Sequence, residues 1–258
     1  MYSLKDKVVF ITGASSGIGR SCARAFASQG ARLLLAARRR GRLDELAAGL
    51  KDEFTVEVRA FELDVRDQPV AERSVAGLPA EWSAVEVLVN NAGLSRGLDR
   101  LHEGKLQDWE EMIDTNIKGL LYVSRAVIPG MVKRNSGHII NIGSIAGHEV
   151  YVGGNVYCAT KFAVNALSKG MRLDLNGTPI RVSEVAPGLV ETEFSIVRYR
   201  GDAEKAGKAY QGMTPLTPDD IADAVVYCAT RPPHVNISEM LVMPTAQAAT
   251  FLVHRKSK

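Results

Sequence analysis

The sequence predicts an α/β fold, a single domain in which helices wind doubly around a parallel, seven-stranded sheet. Two observations carry this. Short apolar runs alternate with longer helical patterns along the whole chain, the rhythm of a parallel sheet covered on both faces. The short runs are apolar at consecutive positions, as strands buried on both sides require. No linker, composition break, internal repeat or low-complexity tract divides the chain, so residues 1–258 are expected to form one domain.

In order, KVVFIT (7–12) reads as a buried strand, and GIGRSCARAFASQG (17–30) as a helix stopped by Gly30. ARLLLAA (31–37) is a second strand. RRRGRLDELAAGLKDE (38–53) is a charged helix despite Gly41 and Gly49. TVEVRAFELDV (55–65) is a third strand, followed by a helix near 68–78, and VEVLVNNAG (85–93) is a fourth. Helices are expected over 105–115 and 117–134, then a fifth strand in GHIINIGS (137–144) and a long helix over 155–176. IRVSEVAPG (180–188) is a sixth strand, 218–230 a helix, and EMLVMP (239–244) a seventh strand.

The chain has 258 residues, 46% hydrophobic and 24% charged, ordinary values for a globular protein. A net charge of +3 gives no argument for nucleic acid. Cys22, Cys158 and Cys228 lie far apart, are odd in number and show no CxxC spacing, which excludes a disulfide framework and a zinc site and suits a reducing compartment. Cys158 beside Tyr157 reads as a small buried filler rather than a catalytic thiol. No signal-peptide pattern opens the sequence and no stretch approaches the ~20 apolar residues of a membrane span, so the expected location is the cytoplasm.

TGASSGIG (12–19) joins the first strand to the first helix. Glycine lets the backbone turn tightly and approach a ligand, and the helix start offers free N–H groups to a pyrophosphate. Between a first strand and a first helix, this is the dinucleotide loop of a Rossmann fold, with Gly13, Ser15, Ser16, Gly17, Ile18 and Gly19 as candidate cofactor contacts. The second strand ends Ala36, Ala37, Arg38, Arg39. It lacks the acidic residue that would hold a free ribose 2′-hydroxyl, and two guanidiniums offer forked donors to a 2′-phosphate. NADP is therefore expected over NAD. Arg38 is the favoured phosphate contact, Arg39 is either a second one or a solvated charge, and Arg40 is a solvated charge opening the helix.

Tyr157 and Lys161 stand four apart on the long helix, hence side by side. An ammonium beside a phenol favours the phenolate and brings its pKa down from about 10, toward proton transfer near neutral pH. Ser144 closes the fifth strand, at the sheet end where ligands bind in open parallel sheets. Its hydroxyl can hold a substrate oxygen while Tyr157 moves the proton. Asn116 opens a helix in DTNIKG.

Together TGASSGIG, NNAG (90–93), Asn116, Ser144, YCATK (157–161) and PG (187–188) resemble the short-chain dehydrogenase/reductase family over nearly the whole chain. The resemblance implies a catalytic tetrad of Asn116, Ser144, Tyr157 and Lys161. In it Tyr157 is the acid/base and Ser144 orients the substrate oxygen. Lys161 lowers the tyrosine pKa and holds the nicotinamide ribose, and Asn116 supports a relay water. It also implies cofactor contacts from Asp64 and Val65 at the adenine, Asn91, Ala92 and Gly93 on the adenosine side, and Pro187, Gly188, Val190 and Thr192 at the nicotinamide and its phosphate. For Asp64 a strand-end cap is the alternative.

The tail, GLVETEFSIVRYRGD (188–202), LTPDDIADAV (216–225) and HVNISEMLVMPTAQ (234–247), is similar to the NADP-dependent 3-hydroxy acid dehydrogenase branch. Pro244 and Thr245 stand where other branches often carry a glycine pair. Residues 189–213 read as a substrate lid. On it Arg198 can grip the carboxylate of a short hydroxy acid, while Lys205 and Lys208 read as an exposed basic face. His148 either borders the pocket or is a loop histidine without a role. The branch implies a homotetramer joined through the helices near 117–134 and 155–176. Three functions compete: an NADP-dependent oxidoreductase of short 3-hydroxy acids, a reductase of bulkier ketones or 3-oxoacyl groups, and an NADP(H)-sensing protein without turnover. The intact tyrosine and lysine argue against the last.

Overall fold

The computed structural model describes residues 2–256. Seven strands, β1 (Val8–Thr12), β2 (Arg32–Ala37), β3 (Val58–Glu62), β4 (Val85–Asn90), β5 (His138–Ile142), β6 (Arg181–Pro187) and β7 (Glu239–Val242), pair in parallel in the order β3-β2-β1-β4-β5-β6-β7. Alternate side chains of each strand enter opposite layers. Val9 and Ile11 of β1 and Leu33 and Leu35 of β2 pack against helices α1 (Gly17–Ser28), α2 (Arg40–Phe54) and α9 (Pro218–Ala229), through Phe26, Leu43 and Val225. Phe10, Leu34 and Leu88 face the other layer, where Ala71 of α3 (Gln68–Ala76) and Val123, Val127 and Met131 of α5 (Gly119–Arg134) cover them. The strand order reverses between β1 and β4, which opens a crevice at their carboxyl ends. A third apolar cluster, around Leu94, Met112, Ala146, Tyr157 and Cys158, lies there apart from the two sheet layers.

Departures from the expected elements have local causes. α2 runs to Phe54, and Thr55 caps it in a left-handed conformation (φ 53°), so β3 starts only at Val58. The helices α4 (Leu106–Ile113) and α5 are not separate. A π turn over Asp114–Lys118, closed by the Gly119 N–H on the Asp114 carbonyl, joins them. Two short helices, α7 (Phe194–Arg198) and α8 (Ala203–Lys208), occupy the segment expected to be a lid. The base of that segment is pinned where Glu191 N–H donates to Leu216 O and Leu216 N–H to Leu189 O, at 2.8 and 2.9 Å. Among the described residues no helix is long and apolar enough to cross a membrane.

Candidate active site

A cleft of about 440 Å³ lies over the carboxyl ends of the strands. At one end is the glycine loop. Gly13 and Gly17 have φ of +64° and +51°, values that favour glycine. The loop is held from behind by the end of β4, where the Asn91 amide donates to the carbonyls of Thr12 (2.9 Å) and Gly13 (3.1 Å). The Thr12 hydroxyl accepts the N–H groups of Asn91 and Ala92. Gly13, Ser15, Ser16, Gly17 and Ile18 line the cleft, but Gly19 does not. A Cβ on Gly19 would lie 2.5 Å from Gly13 O and against the Asn91 amide, so this glycine permits close packing of helix on loop.

Arg38 and Arg39 line the cleft beside this loop. The Arg39 guanidinium donates to both loop serines, to Ser16 Oγ at 2.6 Å and Ser15 Oγ at 3.1 Å, and to Glu193 Oε2 at 2.9 Å. Arg40 instead pairs with Asp44 on its own helix. Asp64, Val65, Asn91, Ala92, Gly93, Pro187, Gly188, Val190 and Thr192 all line the cleft. Asp64 also shapes the end of β3, where Arg66 donates to it from its backbone and its guanidinium. Burial pushes this carboxyl up, but the Arg66 hydrogen bonds prevail and hold it below its usual range. The cap and the cleft wall expected as alternatives are thus one residue.

At the other end Ser144, Tyr157, Lys161 and Arg198 share the cleft. Tyr157 and Lys161 come from α6 (Asn155–Asp174), and Ser144 caps a short 3₁₀ turn, Ile145–Gly147, after β5. The Tyr157 ring packs on Phe194, centroids 5.6 Å apart. The Arg198 guanidinium sits 5.3 Å from the Tyr157 ring centroid and donates to Ser95 Oγ (3.1 Å) and Tyr151 Oη (3.0 Å). Its Nη1 has no hydrogen-bond partner among the described residues.

The geometry corrects the electrostatic expectation. Lys161 is 7% exposed, bonds the Ile142 carbonyl at 2.9 Å and stands 6.0 Å from the Tyr157 ring centroid. Burial pushes its pKa down to about 8, with Glu184 opposing the shift. Tyr157 is not made acidic by this neighbour. Burial pushes its hydroxyl above the ordinary range, and the Arg198 guanidinium, then the Ser144 hydroxyl, pull only part of the way back. Desolvation of the phenol outweighs its cations, and the principal cation comes from α7 rather than α6.

Asn116 is set back from the cleft wall. It does not line the cleft, although its neighbour Thr115 does. Its side-chain amide is 2% exposed, accepts the Leu94 N–H (2.9 Å) and donates to Leu94 O (2.8 Å) and Thr160 Oγ1 (3.0 Å). Both amide protons are spent, so the side chain clamps the segment after β4 to α6 beside Lys161. His148 is outside the cleft, 3.1 Å from Glu239. Cys158 is buried and its thiol is pushed up by that burial, which fits the inert filler.

Several wall residues escaped the sequence reading, among them Tyr151, Phe194, Tyr210, Gln247 and Thr250. Tyr151 sits in a glycine-flanked loop, HEVYVGG, which was a usable signal. Gln247 Oε1 accepts the Leu189 N–H at 2.8 Å, fixing the start of the α7 segment to the tail after β7. Behind the site, Glu184 of β6 is 1% exposed and accepts the Asn165 amide at 2.9 Å. Its carboxyl presses on Gly143, where an added Cβ would lie 2.8 Å from Glu184 Cδ.

Comparison with known proteins agrees with this geometry. The sequence profile of the family described as short chain dehydrogenase matches residues 7–202. The NADP-dependent 3-hydroxy acid dehydrogenase YdfG of Salmonella typhimurium is 52% identical over 250 residues, covering 96% of this chain and 99% of that one. The NADP-dependent 3-hydroxy acid dehydrogenase of Schizosaccharomyces pombe is 44% identical over 257 residues, 99% of both chains. A solved structure described as the closed form of serine dehydrogenase complexed with NADP+ superposes with a TM-score of 0.90 at 49% identity, covering 96% of this chain and all of that chain. With a seven-stranded parallel sheet, a glycine loop and a serine, tyrosine and lysine gathered in one cleft, the chain belongs to the short-chain dehydrogenase family.

Proposed function

We propose that this protein is an NADP-dependent oxidoreductase that interconverts a short 3-hydroxy acid, serine-like or 3-hydroxypropionate-like, and the matching 3-oxo acid or semialdehyde. One observation carries the reading: Ser144, Tyr157 and the Arg198 guanidinium share a cleft whose far end holds the glycine loop and Arg39. The cradle fits NADP, since it offers left-handed glycines at Gly13 and Gly17 and a guanidinium clamped over Ser15 and Ser16. When bound, the nicotinamide supplies or accepts the hydride. Ser144 holds the substrate oxygen and Tyr157 delivers the proton to it. A phenol is protonated at neutral pH and burial pushes its pKa further up, which suits the site to donate a proton in carbonyl reduction. Lys161 contributes its ammonium charge behind the phenol, in the position expected to meet the nicotinamide ribose. Asn116 acts by position, holding α6 through Thr160. Arg198 takes the substrate carboxylate.

Residues 189–213 form the lid in this reading, since Phe194 and Arg198 reach the cleft from α7. We read the assembly as a homotetramer, supported by exposed Leu121 on α5 and Phe162 and Leu173 on α6. We read the location as cytoplasmic, supported by three buried free thiols. The test is steady-state kinetics with malonate semialdehyde and NADPH, and with serine, 3-hydroxyisobutyrate and 3-hydroxypropionate and NADP, each repeated with NAD(H). Rapid turnover of bulky ketones with no turnover of any short acid would overturn the substrate assignment.

A further inference from the structure

We propose that Glu193 is an internal anion that competes with a 2′-phosphate for Arg39, so that its displacement sets the affinity for NADP relative to NAD. This rests on the cofactor reading above and concerns a residue which that reading does not use. Arg39 spends its donors on four contacts: Nε on Ser15 Oγ (3.2 Å), Nη2 on Ser15 Oγ (3.1 Å) and Ser16 Oγ (2.6 Å), and Nη1 on Glu193 Oε2 (2.9 Å). Three of these contacts go to two neutral hydroxyls. The fourth goes to a carboxylate that comes from the start of the α7 segment. It stands in the same cleft wall as Ser15, Ser16, Arg38 and Arg39. A 2′-phosphate seeking Arg39 meets a guanidinium already neutralised on that side, and a like charge beside it.

The displacement is easy because Glu193 has a second home. Arg42 Nη1 holds its Oε1 at 2.7 Å and its Oε2 at 3.0 Å. The hydrogen bonds of Arg39 and then Arg42 keep this carboxyl below its usual range, so it stays charged at neutral pH. When phosphate takes Arg39, Glu193 retreats onto Arg42 without losing its counter-charge. NAD brings no 2′-phosphate to Arg39 and forces no exchange. Glu193 immediately precedes Phe194 and α7, so the exchange also changes the tether at the near end of the segment that carries Arg198.

The test is calorimetric binding of NADP+ and NAD+ to the purified wild-type protein and to Glu193→Gln, Arg42→Gln and the double variant, at low salt and at about 0.5 M salt. Glu193→Gln is isosteric and removes only the charge. It should tighten NADP+ about 2- to 5-fold at low salt, as for a partly exposed ion pair, leave NAD+ within twofold, and lose the gain at high salt. Arg42→Gln should weaken NADP+ more when Glu193 is present than in the double variant. The inference is overturned if Glu193→Gln leaves NADP+ binding unchanged or weakens it, which would make Glu193 a support for Arg39. Equal tightening of both cofactors overturns it as well. Failure of the cofactor reading shows separately, as equal affinity of the wild-type protein for NADP+ and NAD+, and would overturn the inference with it.

Discussion

Replacing Arg198 by methionine separates two jobs that the side chain has in this cleft. Its Nε and Nη2 are tied to Ser95 and Tyr151, while Nη1 has no protein partner among the described residues. The head group lies over Tyr157 and Phe194, 5.3 and 5.2 Å from their ring centroids. Methionine keeps much of the apolar contact and removes the charge. A charge-assisted hydrogen bond to a substrate carboxylate contributes about 1.5–3 kcal/mol. At about 1.4 kcal/mol per decade, kcat/KM for malonate semialdehyde should fall about 10- to 150-fold. An aldehyde of similar size without a carboxylate should lose far less, because Tyr157, protonated at neutral pH, still donates its proton. The assay is NADPH consumption with the two substrates in parallel, with thermal unfolding to confirm that the variant is folded. Arg198→Lys should recover only part of the loss, since an ammonium cannot reproduce the fork. If both substrates lose activity by the same factor, Arg198 positions Tyr157 and does not read the acid.

Tyr157→Phe should lower kcat at least about 100-fold, the lower bound for removing a general acid, while NADP+ affinity measured by calorimetry stays within a few fold. The rate of carbonyl reduction should fall as pH rises through about 8, where Lys161 loses its proton. Glu184 favours the ammonium form, so Glu184→Gln should move that alkaline limb to lower pH; an unmoved limb assigns it to another group. Gly19→Ala places a methyl 2.5 Å from Gly13 O and should cost about 1–3 kcal/mol of stability in denaturant titration, together with cofactor affinity. Phe162→Asp, on the exposed face of α6, should reduce the mass seen by light scattering if that face joins subunits, and leave it unchanged if it does not.

The sheet was legible because its strands are short, apolar runs whose two faces both need cover, and a run such as VVFIT is short and rich in β-branched residues, which favours a buried strand over a helix. The glycine loop was legible because its setting between β1 and α1 removes the ambiguity of a bare glycine pattern. α7 was not, since a helix of five residues is too short to show a period. The clamp made by Asn116 was not legible, because Leu94 and Thr160, which consume its amide, meet it only through the tertiary fold. The Tyr157–Lys161 spacing gave the right neighbours and the wrong balance. Helix geometry places an ammonium one turn from a phenol, but depth of burial and the arrival of Arg198 from α7 are properties of the assembled cleft.

The press of Glu184 on Gly143 ties a position on β6 to the residue that follows β5. A methyl group at 143 requires the buried Glu184 side chain to shift, and that backbone follows directly on the carbonyl holding Lys161. The two sites therefore form a mutational lock. In a library that varies both positions, alanine at 143 should be recovered more often where residue 184 is smaller than glutamate.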